Sequence, residues 1–264
     1  MNTWESRTEH FDAFKQAFKS APESTLLAFD FDGTLSPMVP DPAQAFVHPE
    51  ARQALEELAD GCRVAIITGR PVDQVQELGF LDDKILQRVI VLGQYGSERL
   101  DANGRTVPEP PESVRLAMED LQPLADAHPG LFLEDKQQAI GVHTRRAEPG
   151  TFEGVKPAVE AVAAKHGLDI EPGKEVLELR SHKVSKGDAL RALIDELGAE
   201  AVGMVGDDLG DLPAFEVVAE RQAAGKPGVA VVSSSDERPE LVERADVLCD
   251  GPAGIAVWMR SLME

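Results

Sequence analysis

Five short apolar runs, Leu26 to Phe29, Val64 to Ile67, Val89 to Leu92, Val202 to Val205 and Val229 to Val232, constrain this chain more than any other feature. None contains a polar side chain, so each reads as a strand buried on both faces. Between them lie stretches with helical period, Pro49 to Ala59, Pro71 to Leu78, Lys186 to Leu197 and Leu212 to Glu220. Strands alternating with helices require an α/β fold, a parallel sheet covered on both sides.

The middle of the chain breaks this rhythm. Asn103-Gly104 marks a hairpin turn, and the proline-rich PEPPE at 108 to 112 excludes helix and central strand. Beyond it Ser113 to Leu124 is helical in pattern, Leu131 to Thr144 reads as paired strands around Asp135 and Lys136, Phe152 to His166 is helical, and Glu175 to Arg180 alternates. We therefore expect residues 1–107 and 182–264 to build one core, interrupted by an α+β cap domain at 108–181. Hinges are expected near Val107 to Pro111 and Ser181 to Lys183.

A formal charge of −21 over 264 residues argues against nucleic acid or an anionic membrane as partner. A small anionic substrate stays open, provided a metal or focused cations offset the field locally. Cys62 and Cys249 lack the spacing of a zinc or redox motif and read as reduced core thiols. The N-terminal segment mixes charges with aromatics and shows no signal or anchor pattern, so a cytoplasmic monomer is expected, with Met1 to Ser20 packed on the core.

The chemistry sits at strand ends. LLAFDFDGTL at 26 to 35 is an apolar strand ending in two carboxylates. Residues i and i+2 of a strand share a face, which would aim Asp30 and Asp32 the same way at the edge where open α/β sheets bind ligands. Adjacent carboxylates repel unless a cation or a shared proton lies between them. Gly33 allows a sharp turn and close approach of amides to a phosphoryl oxygen. A solvated acidic turn is the plain alternative.

Thr68-Gly69-Arg70 follows the second strand and offers a hydroxyl donor. Lys186 begins a helix, where the dipole disfavours a cation unless an anion is near. Gly206-Asp207-Asp208-Leu209-Gly210-Asp211 follows another strand, and such an oxygen-rich set suits magnesium. The spacing of a calcium loop is absent.

DFDGT at 30 to 34, Thr68-Gly69-Arg70, Lys186-Gly187 and GDDLGD at 206 to 211 resemble, in that order, the four motifs of the haloacid dehalogenase superfamily. That resemblance implies a doubly wound parallel-sheet core with an inserted cap. It implies Asp30 as nucleophile, Asp32 as acid/base, and Thr68 and Lys186 on the phosphoryl oxygens. Mg2+ would be held by Asp30, the Asp32 backbone carbonyl and Asp207, with Asp211 orienting a metal-bound water or Lys186.

Glu134-Asp135-Lys136, Gly141-Val142-His143-Thr144-Arg145 and Gly173 to Arg180 are similar to the trehalose-6-phosphate phosphatase family. This second resemblance implies a sugar phosphate as the partner, with Glu134, Lys136 and Glu178 on its hydroxyls, and Gly33, Arg70, His143 and Arg145 also on the substrate side. Ser181 stands where that family usually has proline, and Gln94-Tyr95-Gly96 where many relatives have histidine before the glycine. Surface ion pairing is the alternative for the cap charges. Another sugar-phosphate phosphatase, a phosphosugar mutase, a receiver domain and a silent sugar-phosphate sensor are the rival functions. A receiver is about half this size and lacks the second aspartate; a silent sensor would usually have lost Asp30, Asp32 or Lys186.

Overall fold

A computed structural model describes residues 3–107, 109–173, 175–180, 185–233 and 239–264. The chain divides into two compact units, Met1–Val107 with Val184–Glu264, and Pro108–Lys183. Of the expected hinges, Pro108 and Ser181 to Lys183 lie outside the described residues.

The first segment of the larger unit holds β1 (Trp4–Ser6), α1 (His10–Ser20), β2 (Thr25–Phe29), α2 (Pro49–Ala59), β3 (Arg63–Ile67), α3 (Val72–Leu78), α4 (Asp83–Leu86), β4 (Val89–Gly93), β5 (Glu98–Asp101) and β6 (Gly104–Thr106). The inserted unit holds α5 (Glu112–Ala127), β7 (Phe132–Asp135), β8 (Ala139–His143), α6 (Thr151–His166), β9 (Asp169–Gly173) and β10 (Val176–Arg180). The second segment of the larger unit holds α7 (Lys186–Leu197), β11 (Ala201–Gly206), α8 (Leu212–Ala223), β12 (Gly228–Ser233), α9 (Pro239–Val242), β13 (Val247–Cys249) and α10 (Gly251–Met263).

The larger unit is a nine-stranded sheet in the order β1-β13-β12-β11-β2-β3-β4-β5-β6. The six strands from β13 to β4 run parallel, while β1 and the β5–β6 hairpin add antiparallel edges. Alternation along each buried strand feeds two cores. Leu27, Phe29, Val64 and Ile66 pack under α1, α2 and α10, whereas Leu26, Ala28, Ala65 and Ile67 pack under α7 and α8. This is the doubly wound arrangement. In α1 the spacing of Phe11, Phe14 and Phe18 puts three rings on one stripe, and all three are buried.

From β2 the chain winds outward through β3 and β4, then returns on the other side of β2 as β11. Winding therefore reverses between β2 and β11, and the crevice beyond their C-terminal ends is where such sheets accept ligands.

The inserted unit is a four-stranded antiparallel sheet, β7-β8-β10-β9, with α5 and α6 on one face. Leu133, Ile140, Val142, Leu177 and Leu179 point toward those helices. The alternate positions, Glu134, Gly141, His143, Glu178 and Arg180, therefore occupy the other face. Strand β9 was not anticipated, because DIEPG carries one apolar residue and a proline; it survives as an edge strand, where proline is tolerated. No helix among the described residues is long and apolar enough to cross a membrane.

Candidate active site

Regular pairing of β2 ends at Phe29, but the Asp30 amide still donates to the Val205 carbonyl at 2.8 Å. Asp30 is thereby fixed at the switch point, 5% exposed. Asp32 lies beyond this regular pairing, in an isolated bridge with Ser36. The carboxylates take different cations: Asp30 meets Lys186, and Asp32 is gripped by Arg70.

Lys186 is the first residue of α7. A capping box sets that start, with Ser185 Oγ accepting from the Asp188 amide at 3.1 Å and Asp188 Oδ2 accepting from the Ser185 amide at 3.0 Å. The ammonium lies 2.8 Å from Asp30 Oδ1 and donates to Asp211 Oδ1 at 2.7 Å. The anion that its unusual helical position called for is this carboxylate pair. Burial would lower the Lys186 ammonium, but Asp30, Asp211 and Asp208 outweigh it and hold it well above its ordinary value.

Past β11 the chain turns so that Asp211 folds back on its own loop. Its Oδ2 accepts from the amides of Asp207 at 2.9 Å and Asp208 at 3.1 Å, and its carboxylate is fully buried. Gly206 makes room for it, since a Cβ there would lie 2.3 Å from Asp211 Cγ. Burial pushes both Asp30 and Asp211 above the usual carboxylate range, although Lys186 pulls each back. Asp207 is raised to about 7, first by burial and then by Asp211 and Asp208.

Gly33 and Asp207 fit together closely. Gly33 has φ +73°, and a Cβ there would lie 2.0 Å from Asp207 Oδ2. Thr34 Oγ1 donates to Asp207 Oδ1 at 3.4 Å, and Ser233 Oγ donates to the Gly33 carbonyl at 2.7 Å. Asp30, Asp207 and Asp211 each bring an oxygen within 4.8 Å of the others. Three crowded acid groups, one of them raised to about 7 and in no ion pair among the described residues, fit a hard divalent cation such as Mg2+.

Thr68 stands at the end of β3, beside β2, and is buried. Its hydroxyl accepts from the Arg70 amide at 3.2 Å. The Arg70 guanidinium makes a two-pronged contact with Asp32, Nε to Oδ2 at 2.6 Å and Nη2 to Oδ1 at 2.7 Å, and also donates to the Pro42 carbonyl at 2.9 Å. Across β4, Gln94, Tyr95 and Gly96 all have positive φ, 48°, 60° and 107°. Two such non-glycine residues in a row are strained, and backbone bonds impose the geometry. The Gln94 amide donates to the Arg70 carbonyl and the Tyr95 amide to the Thr68 carbonyl, both at 2.9 Å. Tyr95 Oη lies 2.8 Å from where a Gly69 Cβ would stand, so the phenol rests on the Thr68-Gly69-Arg70 turn.

The inserted unit gathers the other candidates. Glu134, Gly141, Glu178 and Glu171 stand in register across its four strands, and Gly141 leaves a gap between the first two carboxylates. Lys136 Nζ donates to Glu178 Oε2 at 2.5 Å and lies 3.8 Å from Glu134. Burial would raise Glu178, but the contacts with Lys136 and Arg180 outweigh it and hold the carboxyl below its ordinary value. His143 Nε2 donates to Glu134 Oε2 at 2.9 Å, since a carboxylate only accepts. Arg145 lines a groove of about 430 Å3 together with Glu134 and His143.

Sequence reasoning thus named Asp30, Lys186, Asp207 and Asp211, which come together in one cluster, and Glu134, Lys136, His143 and Glu178, which come together in another. It gave no role to Thr34 or Tyr95 and did not name Ser233. Thr34 ends the DFDGT motif and Tyr95 lies in the Gln94-Tyr95-Gly96 stretch, so both had a local signal; Ser233 reaches the site only through sheet topology.

Comparison with known proteins follows the same lines. The Trehalose-phosphatase family matches residues 28–246. The trehalose-phosphate phosphatase of Mycobacterium tuberculosis is 32% identical over 244 residues, covering 86% of this chain and 58% of that protein. That of Mycobacterium leprae is 32% identical over 219 residues, covering 75% and 49%. The chain therefore spans about half the length of these relatives. Among solved structures, an Aspergillus fumigatus trehalose-6-phosphate phosphatase superposes with a TM-score of 0.69 at 24% identity, covering 97% of this chain and 98% of that one. A haloacid dehalogenase-like hydrolase from Bacteroides thetaiotaomicron superposes with 0.65 at 16% identity, covering 90% and 99%, and both likenesses are of fold.

Proposed function

Because the chain belongs to the trehalose-phosphatase family, we propose that it is a magnesium-dependent phosphomonoester hydrolase that converts trehalose 6-phosphate to trehalose and phosphate. The observation that carries the proposal is the buried Asp30 carboxylate at the switch point, with Lys186 on one oxygen and Asp207 and Asp211 beside it. A carboxylate in that place serves as a nucleophile toward phosphorus.

In this reading Lys186 holds Asp30 Oδ1, which leaves Oδ2 to attack. The bond from Asp30 to phosphorus forms as the bond from phosphorus to the sugar oxygen breaks, giving an aspartyl phosphate. Asp32 delivers a proton to the departing oxygen, then takes one from the water that hydrolyses the acyl phosphate. Arg70 grips both Asp32 oxygens, the geometry of the charged carboxylate that takes the second proton. For the first, proton-donating step that clamp must open at one oxygen. The Thr68 hydroxyl, the Lys186 ammonium and the amides from Phe31 to Gly33 neutralise the phosphoryl oxygens.

Asp30, the Asp32 carbonyl and Asp207 are the groups that would hold Mg2+, with Asp211 orienting Lys186 and the loop amides. The bound ion would supply positive charge that offsets repulsion between the nucleophile and the phosphate. On the inserted unit, Glu134 and Glu178 would accept from sugar hydroxyls and Lys136 would donate, with His143 and Arg145 beside them.

The test is phosphate release from trehalose 6-phosphate, glucose 6-phosphate and sucrose 6-phosphate, with Mg2+ and with EDTA. Preference for trehalose 6-phosphate, lost in EDTA and in Asp30→Asn, is the expected outcome. Metal-dependent turnover that favours another substrate would discard the sugar roles, and substantial turnover by Asp30→Asn would discard the nucleophile.

A further inference from the structure

The open face of the inserted sheet carries one aromatic ring for which neither the packing of that unit nor the chemistry above has a use. Phe132 opens β7 and is 60% exposed, while its neighbour Leu133 points the other way, into the apolar cluster under α5 and α6. Alternation puts Phe132 on the same face as Glu134. Register sets it opposite His143, with ring centroids 6.1 Å apart, and His143 in turn opposite Val176. Phe132, His143 and Val176 thus form a row across three strands, next to the row of Glu134, Gly141 and Glu178.

An open depression lies over the first row and reaches Glu134 of the second. Gly141 lets the side chains of His143 and Glu134 meet above it, since a Cβ there would lie 2.8 Å from His143 Nε2 and 3.1 Å from Glu134 Oε2. The groove over Phe132, Glu134, His143 and Val176 measures about 430 Å3, inside the range of about 300–1,000 Å3 typical of small-molecule sites. Arg145 and Arg146 border it, exposed and without an ion-pair partner among the described residues.

An apolar ring edged by a carboxylate, an imidazole and guanidinium groups matches one ligand chemistry closely. A pyranose presents a face of C–H bonds and a rim of hydroxyls. Its face suits the electron-rich face of a phenyl ring, and its rim needs acceptors and donors at fixed points. The floor formed by Phe132 and Val176 offers no donor to a phosphoryl group and Glu134 beside it would repel one, so this part of the groove suits the neutral part of a sugar phosphate.

We propose that Phe132 is the stacking platform for one pyranose ring of the substrate, with Val176 extending the apolar floor, and that this contact favours disaccharide over monosaccharide phosphates. The proposal rests on the sugar-phosphate reading above.

The test is Phe132→Ala and Phe132→Tyr, assayed with Mg2+ on trehalose 6-phosphate, glucose 6-phosphate and p-nitrophenyl phosphate. Phe132→Ala should raise KM for trehalose 6-phosphate by about tenfold. Its kcat on p-nitrophenyl phosphate, which has no pyranose, and its melting temperature should match the parent. Phe132→Tyr keeps a flat ring and should keep the parental KM. An unchanged KM in Phe132→Ala would overturn the platform, as would an equal loss on p-nitrophenyl phosphate, which marks a structural role. If the parent prefers another sugar phosphate, the substrate reading fails alone. The platform is then judged by the KM of that sugar phosphate in Phe132→Ala.

Discussion

Lys186→Met removes the ammonium that pairs with both Asp30 and Asp211, and the structure sets the size of the loss. Lys186 is 3% exposed, Asp30 5% and Asp211 0%, so water cannot replace the missing charge. Breaking a buried ion pair from one side costs about 3–5 kcal/mol. At about 2–4 °C per kcal/mol for a domain of this size, the melting temperature should fall by about 6–20 °C in EDTA. The pH dependence has a definite sign. Both carboxyls already stand above their ordinary values through burial, with Lys186 pulling them down, and the substitution deletes that pull. A carboxyl raised in the folded state favours folding at low pH and loses that stability as pH rises from its unfolded toward its folded value. The deficit of Lys186→Met should therefore be largest at pH 8 and shrink toward pH 5. Adding Asp211→Asn removes one of the stranded charges and should recover part of the loss. Thermal unfolding followed by circular dichroism, on the parent and both variants, reads all of this. A Lys186→Met protein within about 2 °C of the parent at pH 8 in EDTA would mean that the cluster is solvated, and the reasoning would fail.

Four further outcomes follow from the same geometry. Gly33→Ala places a methyl 2.0 Å from Asp207 Oδ2 at φ +73°; it should cost about 1–2 kcal/mol in backbone strain alone and abolish Mg2+ binding in calorimetry. With Asp207 raised to about 7 by burial and by Asp211 and Asp208, protons should compete with the cation; titrations should find weaker Mg2+ binding and more proton release at pH 6, where the carboxyl is mostly protonated, than at pH 8. Lys136→Met leaves Glu178 facing Glu134 without the bridging ammonium, and KM for trehalose 6-phosphate should rise by about tenfold or more while kcat on p-nitrophenyl phosphate holds. Burial pushes the Cys62 thiol up to about 12 and Cys249 also upward, so native protein should not react with a thiol-specific disulfide reagent until it is unfolded.

What could be read from the sequence follows physical range. The buried strands were legible because four consecutive apolar residues between turn signals leave little else for the backbone to do, and β2, β3, β4, β11 and β12 stand where those runs are. Lys186 was legible as the neighbour of an anion because a cation at a helix start opposes the dipole, and Asp30 with Asp211 is that anion. The Arg70 clamp on Asp32 was not, because the contact joins residues 38 apart through a long flexible side chain. Nor were the positive φ angles of Gln94 and Tyr95, which neighbouring chain imposes through Thr68 and Arg70 against the residues' own preference. Phe132 was hidden for a different reason. In a strand an aromatic at an alternate position is ordinary, and only the face chosen by Leu133, Ile140, Val142 and Leu177 tells which residues remain outside. Local chemistry thus names the reacting groups, whereas tertiary packing decides which of them are clamped, strained or left exposed. Those are the properties that set when a site reacts and with what, and for that reason Arg70 and Phe132 are the residues most exposed to experiment.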